Sequence, residues 1–327
     1  MTKEHASGRP VASFSLDLDN QWSYMKTHGD DEWTSHPSYL DWAVPRILDF
    51  LDDRDLKITF FIVGQDATLE KNAEAMRLLG ASGHEIGNHS FNHDPWLHLY
   101  SEAELDRELE ISEKAIEAAT GQKPVGFRGP GFSLSDTTLE TLYRRGYKYD
   151  ATVFPNVLNP LARAYFFARS NLSEEEKEQR KELFGTWRDA LRPTKPFQWS
   201  IAGGTLTELP VTTMPFFKVP IHLSYVLYLA RYSRFLALTY FRTAVLLCRI
   251  AGVSPSILLH PLDFIGCDDV GELSFFPGMD MEAGPKMEIV SEVISIMEKH
   301  YELVTVEEHV DRSPRPMREL QLEVVRG

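Results

Sequence analysis

Eight short runs rich in β-branched and aromatic residues recur along this chain, at 11–19, 57–63, 85–89, 125–128, 148–153, 205–211, 256–260 and 302–306. Between them, 40–51, 70–79, 102–119, 136–145 and 286–300 carry apolar residues at helical spacing, and Ser135 stands as an N-cap before the fourth. A β-then-α order repeated this often predicts a mainly parallel sheet or barrel. Parallel strands need crossover connections, and such folds display their reactive side chains at the C-terminal ends of the strands. The sequence predicts one domain over 11–310. Two excursions interrupt it, at 156–200 with the charge run 174–182, and at 214–253; the polar tail 311–327 is expected to be loosely held.

The strand ends concentrate ionisable groups. The first ends in Asp17-Leu18-Asp19, the third in His89-Ser90-Phe91-Asn92-His93, the fourth in Arg128-Gly129-Pro130, the fifth holds Asp150, and the seventh ends in Leu259-His260. His89 and His93, four apart, are expected on one face of a helical turn, a spacing that suits a divalent metal. One carboxylate added to two histidines leaves open positions for water and substrate, the arrangement of a catalytic site. Asp17 and Asp19 alternate by two and so face the same side of a strand. The economical assignment makes Asp19 the ligand and Asp17 the base. The Arg128 fork matches a carboxylate and would hold Asp17 ionised. Asp150 against one ring nitrogen of His260 would leave the other to protonate a departing amine.

These runs, in order, resemble the five motifs of the polysaccharide deacetylases with a NodB-type domain (carbohydrate esterase family 4), over roughly 11 to 306. The resemblance implies an α/β fold, a distorted (β/α)7 barrel, here with two helical insertions. It implies metal ligation by Asp19, His89 and His93, Asp17 as base tethered by Arg128, and His260 as acid tethered by Asp150. The chain departs from the pattern where Leu18 separates the aspartates, where Gly131-Phe132-Ser133 follows Pro130, and where Phe154 replaces a Trp. These departures, with Glu208-Leu209-Pro210, are similar to the branch associated with exopolysaccharide and lipid-linked sugars rather than chitin or peptidoglycan.

The expected function is therefore a metal-dependent hydrolase that removes an N-acetyl group from an amino sugar of a polysaccharide or lipid-linked precursor, releasing acetate and a free amine. Water acidified by the metal would attack, and a backbone N–H near Gly131 would help hold the oxyanion. The donor set suits zinc first, and admits cobalt, iron or manganese. Two alternatives stand beside it: an amidohydrolase acting on a cyclic ureide or formamide, and a non-catalytic glycan-binding protein of the same fold. Aromatic rings at Trp22, Trp33 and Phe132 would favour a sugar.

A formal charge of -14 argues against nucleic acid as a partner. Cys248 and Cys267 make no disulfide framework, and neither a secretory leader nor a spanning segment is visible, so a cytoplasmic address is expected. From Leu209 to Leu262 there is no acidic residue, where about eight would be average. On one continuous helix over 225–250, Arg231, Arg234, Arg242 and Arg249 would share an arc of about 80°. That stripe, amid apolar residues of 219–250, predicts peripheral contact with the inner membrane face or with the phosphates of a polyprenyl-linked sugar.

Overall fold

The computed structural model describes residues 8–322. Its first strand, β1 (Val11–Leu18), is buried along its whole length. Side chains alternate across a strand. Ala12, Phe14, Leu16 and Leu18 enter the main apolar core. Ser13, Ser15 and Asp17 take the opposite face and form a polar file: Ser13 bonds to His309, while Ser15 and Asp17 meet Arg128. Asp19 continues the file one residue beyond the strand.

Beside β1 lie β2 (Thr59–Ile62), β3 (Glu85–Asn88), β4 (Gly126–Phe127) and β5 (Tyr149–Asp150), each parallel to its neighbour. The hairpin of β6 (Phe197–Ile201) and β7 (Gly204–Glu208) follows, with β7 parallel to β5. On the other side of β1 stands β8 (Ser256–Leu259), also parallel, while β9 (Glu302–Val304) pairs with the first residues of β1. Past β7 the chain keeps its course: Leu209 N donates to Asp150 O, Val211 N to Val153 O, and Thr212 N to Ser256 O on β8. That last bond closes the ring β1-β2-β3-β4-β5-β7-β8, a distorted seven-membered barrel. Phe61, Tyr149, Ala151, Leu209, Val306 and Val310 fill its interior. Two glycines make the room. A Cβ on Gly126 would stand 1.9 Å from the Tyr149 ring, and one on Gly87 would stand 2.4 Å from the Phe61 ring.

The helices begin and end where local chemistry demands. Ser101 and Glu104 form a reciprocal capping box at the start of Glu102–Thr120, and Gly121 closes it in the left-handed conformation. Ser135 caps Asp136–Arg145 as expected, and Gly146 ends it. The expected continuous helix over 225–250 is two helices, Leu223–Ala230 and Arg234–Ala251, because Ser233 leaves helical geometry to cap the second. The arginine stripe is broken with it. Arg231 pairs with Asp280, Arg234 with Glu288 and Glu292, and Arg242 lies 4.0 Å from Glu292. The acids missing from the sequence segment are supplied in space by its neighbours. Two strands were not foreseen: β6, inside the first excursion, and β10 (Arg318–Gln321), which lies in the tail expected to be loose and pairs with β6. Residues 323–327 of that tail lie outside the described residues. No described helix is long and apolar enough to cross a membrane.

The turn after β1 is pinned by a buried carboxyl. Asp66 Oδ1 accepts from Asn20 Nδ2 at 2.7 Å, Trp22 Nε1 at 2.9 Å and Asn72 Nδ2 at 3.0 Å. Burial outweighs these bonds and pushes Asp66 up to about 7. The unfolded chain would ionise it near ~4. The folded state therefore holds an extra proton between those values; the stability this contributes is complete below ~4 and is lost as pH rises to 7. Asp66→Asn keeps the acceptor oxygen and removes that loss. Its stability by chemical denaturation should gain on the parent by roughly 2–3 kcal/mol between pH 5 and pH 8. A pH-independent difference would refute the assignment.

Candidate metal centre

Asp19, His89 and His93 each present one ligand atom, and the three atoms lie within 4.8 Å of one another. His93 Nε2 is 2.8 Å and His89 Nε2 3.4 Å from Asp19 Oδ1. All three residues are buried, and the approach of His93 Nε2 to Asp19 Oδ1 is not aligned as a hydrogen bond, so that neither atom, nor His93 Nδ1, has a hydrogen-bond partner among the described residues. Buried polar atoms are seldom left so. Two imidazoles and a carboxylate with unfilled lone pairs fit a divalent cation, and the set suits a borderline metal better than calcium or magnesium. Burial alone would raise the Asp19 carboxyl, but the His93 and His89 imidazoles hold it well below its ordinary value. Burial would depress His89, and the charges of Asp17 and Asp19 raise it instead.

The two histidines converge by a route other than the expected helical turn. Residues 89–93 form no helix; Ser90 (φ 61°) and His93 (φ 52°) adopt left-handed conformations. His93 N donates to Ser90 Oγ at 3.1 Å. Glu108, on the helix Glu102–Thr120, accepts from Phe91 N at 2.9 Å, Asn92 N at 2.6 Å and Asn92 Nδ2 at 2.7 Å. Ser112, one turn along the same helix, binds Asn88 Oδ1 and Ser90 O. This support holds the strained loop open. Glu108 was not singled out in the sequence, where nothing marks one acid among several on an amphipathic helix.

Arg128 is fully buried and connects the parts. Its Nη1 donates to Asp17 Oδ1 at 2.7 Å and to Ser15 Oγ at 2.8 Å, and its Nε donates to Ala151 O at 2.9 Å. Its own carbonyl lies 2.7 Å from His89 Nδ1. Only an N–H can serve that contact, so Nδ1 carries the proton and Nε2 faces Asp19 as a free donor pair. Asp17 Oδ2 stands 3.9 Å from His89 Nε2, beside the cluster and outside it.

His260 faces the same cavity as the cluster, but its expected partner does not reach it. Asp150 accepts from Thr152 Oγ1 and contacts the Glu208 carboxyl; no described bond joins it to His260. Burial raises both carboxyls, Glu208 well above its ordinary value, so the pair shares a proton. Glu208 in turn accepts from Val153 N and Trp199 Nε1. Asp150 therefore braces the barrel wall: Thr152 Oγ1 receives Gly129 N at 2.8 Å and steadies the Arg128 turn. Beside His260 stand Ser224 Oγ, 3.4 Å from Nδ1, and His222, with ring centroids 6.1 Å apart. His260 N donates to Asp263 Oδ2 in a reciprocal cap. Burial, with His260 and Arg128 close by, pushes His222 well below its ordinary value, and its buried Nδ1 has no partner. His222 was missed because a single histidine in an apolar stretch gives no spacing to read.

The cavity above the centre has a volume of about 380 Å³. Phe132 lines it, stacked on Phe154 at 4.7 Å. Trp22, expected at a sugar site, is 1 % exposed and spends its N–H on Asp66. Trp33 packs on Trp22 and on the Lys26 ammonium instead of lining the cavity. The free thiols Cys248 and Cys267 take no part.

Comparison with known proteins now bears on this geometry. The sequence profile described as "Polysaccharide deacetylase" matches residues 30–149, which include His89, His93 and Arg128 but not Asp17, Asp19 or His260. A peptidoglycan deacetylase of Helicobacter pylori is 27 % identical over 154 residues, 46 % of this chain and 52 % of that protein. A chitin deacetylase of Colletotrichum lindemuthianum is 30 % identical over 115 residues, 30 % of this chain and 46 % of that one. The chain thus spans about half the length of the curated relatives it matches. A crystallised Mycobacterium smegmatis protein described as a polysaccharide deacetylase shares the fold, with a TM-score of 0.61 at 20 % identity, covering 98 % of this chain and 97 % of that one. These matches show that residues 30–149 are similar to polysaccharide deacetylases and that the chain shares the fold of the Mycobacterium smegmatis protein.

Proposed function

We propose that this chain is a metal-dependent hydrolase of a non-peptide amide, removing an N-acetyl group from an amino sugar of a glycan. The observation that carries the reading is the convergence of Asp19, His89 and His93 beside an Asp17 that a buried arginine keeps oriented. A binding protein needs neither a spare carboxylate nor a facing imidazole at such a centre. The relatives named for peptidoglycan and chitin support an amino-sugar substrate.

Asp19, His89 and His93 would hold the cation, zinc by preference, which when bound supplies Lewis acidity toward water and the amide carbonyl. Asp17 takes the proton of the attacking water; its second oxygen is free for this because Arg128 occupies the first. Gly131 lines the cavity and would offer its backbone N–H to the carbonyl oxygen as charge develops there. His260, also facing the cavity, gives a proton to the departing amine, so that acetate and a free amino sugar leave. His222, neutral beside it, keeps that region free of a second positive charge.

The carrier of the sugar is either a polysaccharide or a polyprenyl phosphate, and the choice turns on the cavity. A cytoplasmic address and docking of 219–250 on the inner membrane face belong to the same proposal. Exposed Phe235, Leu236 and Ile250 support docking; the ion pairs of Arg231, Arg234 and Arg242 weaken the electrostatic part of it.

Metal analysis of the purified protein should find one divalent ion per chain, and dialysis against a chelator should abolish acetate release from N-acetylated amino-sugar substrates. Asp19→Ala and His93→Ala should each weaken metal affinity at least ~10–100-fold, the loss typical of removing even a supporting contact. Protein that never retains metal would end the proposal. Asp17→Asn should keep its metal and lower kcat roughly 10²–10⁴-fold; unchanged turnover would remove Asp17 from the role of base.

A further inference from the structure

The cavity over the metal centre continues outward along an apolar path that a sugar does not need. Beyond Phe132 its walls are Leu158, Leu161, Phe166, Tyr228, Phe275 and Phe276. They come from the helices Asn159–Phe167 and Leu223–Ala230 and from the stretch 275–277, none of which carries a metal ligand. The path stays apolar as it reaches solvent. Leu161, a wall residue, is 69 % exposed, and Tyr232, packed on Tyr228 at 5.8 Å, is 69 % exposed. An isolated exposed apolar residue is ordinary, but a continuous apolar rim around a reactive site is not.

Charge marks the same rim. Arg169 lines the cavity with its guanidinium 4.6 Å from the centre of the Tyr165 ring, and no described carboxylate pairs with it. Arg231 lies over Tyr228 and Tyr232 from the opposite wall, engaged with Asp280. In a chain of charge -14, an unpaired guanidinium at the mouth of the active site favours an anionic group there. A polysaccharide would meet the opposite surface: polar, open, with rings aligned for stacking on successive sugars.

We infer that the substrate is an anionic amphiphile, in which the N-acetylated sugar at the metal centre is joined through a phosphate at Arg169 to an aliphatic chain lying along Leu161, Phe166, Tyr228 and Phe276. This rests on the deacetylase reading for the sugar and deepens it by naming the carrier. The cavity is of the size that buries most of a small ligand; the rest of a long chain lies along the exposed rim.

Calorimetric titration of the metal-loaded protein with n-alkyl phosphates of increasing length tests the chain site without turnover. Affinity should rise about fourfold per methylene, the value of one buried CH₂, until the walls are covered. Arg169→Gln should weaken alkyl phosphates about tenfold and leave neutral alkyl glucosides unchanged. Leu161→Glu, at an exposed position that folding tolerates, should flatten the dependence on length. Affinity independent of length in the parent protein overturns the inference, as does equal loss of both ligand types in Arg169→Gln. Acetate release is measured separately from N-acetylglucosaminyl phosphates bearing alkyl chains. Rates that rise with the chain on the phosphate support the inference; rates that rise only with a longer N-acyl group overturn it. Length-dependent binding with no release from any substrate leaves the chain site standing and overturns the deacetylase reading instead.

Discussion

The contact on which the rest of the site depends is the buried ion pair of Arg128 and Asp17. A guanidinium with no exposed surface is costly unless its donors are engaged, and here one side chain spans the barrel to reach β1 and the residue after β5. The main chain of the same residue accepts from His89, so one amino acid sets the orientation of both the candidate metal ligand and the candidate base. Removing it would leave Asp17 as an unpaired buried charge and free the His89 ring to turn. The closeness of the Phe61 ring, 4.3 Å from the guanidinium, excludes water from the pair.

Around that contact the support is layered by element. The β3–α connection supplies the histidines in strained backbone, and the helix that follows it returns Glu108 and Ser112 to hold the strain. The shared proton of Asp150 and Glu208 does comparable work on the opposite wall, where the hydrogen-bonded pair steadies the Arg128 turn through Thr152 and carries one negative charge instead of two. On the far side, Lys286 reaches under the loop after β8 and donates to Leu262 O and Ile265 O, fixing the strand end that displays His260.

Much of this was legible in the sequence because barrels of parallel strands concentrate chemistry at strand ends, and alternation along the first strand put Asp17 and Asp19 on one side; Ser13 and Ser15, which complete the file, carry no charge to mark them. The convergence of Asp19, His89 and His93 and the Arg128–Asp17 pair followed from residue type and order. The misjudgements have physical causes. His89 and His93 were assigned to a helical turn because spacing alone cannot distinguish a helix from a loop with two left-handed residues. Asp150 was matched to His260 although a long-range pairing depends on which strand ends lie opposite, and Glu208, closer in space, took its place. Phe197, Trp199 and Ile201 alternate as a strand should; the charged run upstream drew the first two into the excursion. Arg318–Gln321 carries one apolar residue, and only the open edge of β6 makes it a strand. The continuous helix failed at Ser233, whose capping preference outweighed the apolar run.

The barrel joins its ends through one backbone hydrogen bond, from Thr212 to Ser256, and the segment that leaves there and returns builds a wall of the cavity. Catalytic groups and selectivity thus reside on separate lengths of chain. A change in the length or composition of that wall would leave Asp19, His89 and His93, just beyond the ends of β1 and β3, in register. The shape of the wall and the geometry of the candidate centre are thus open to independent change.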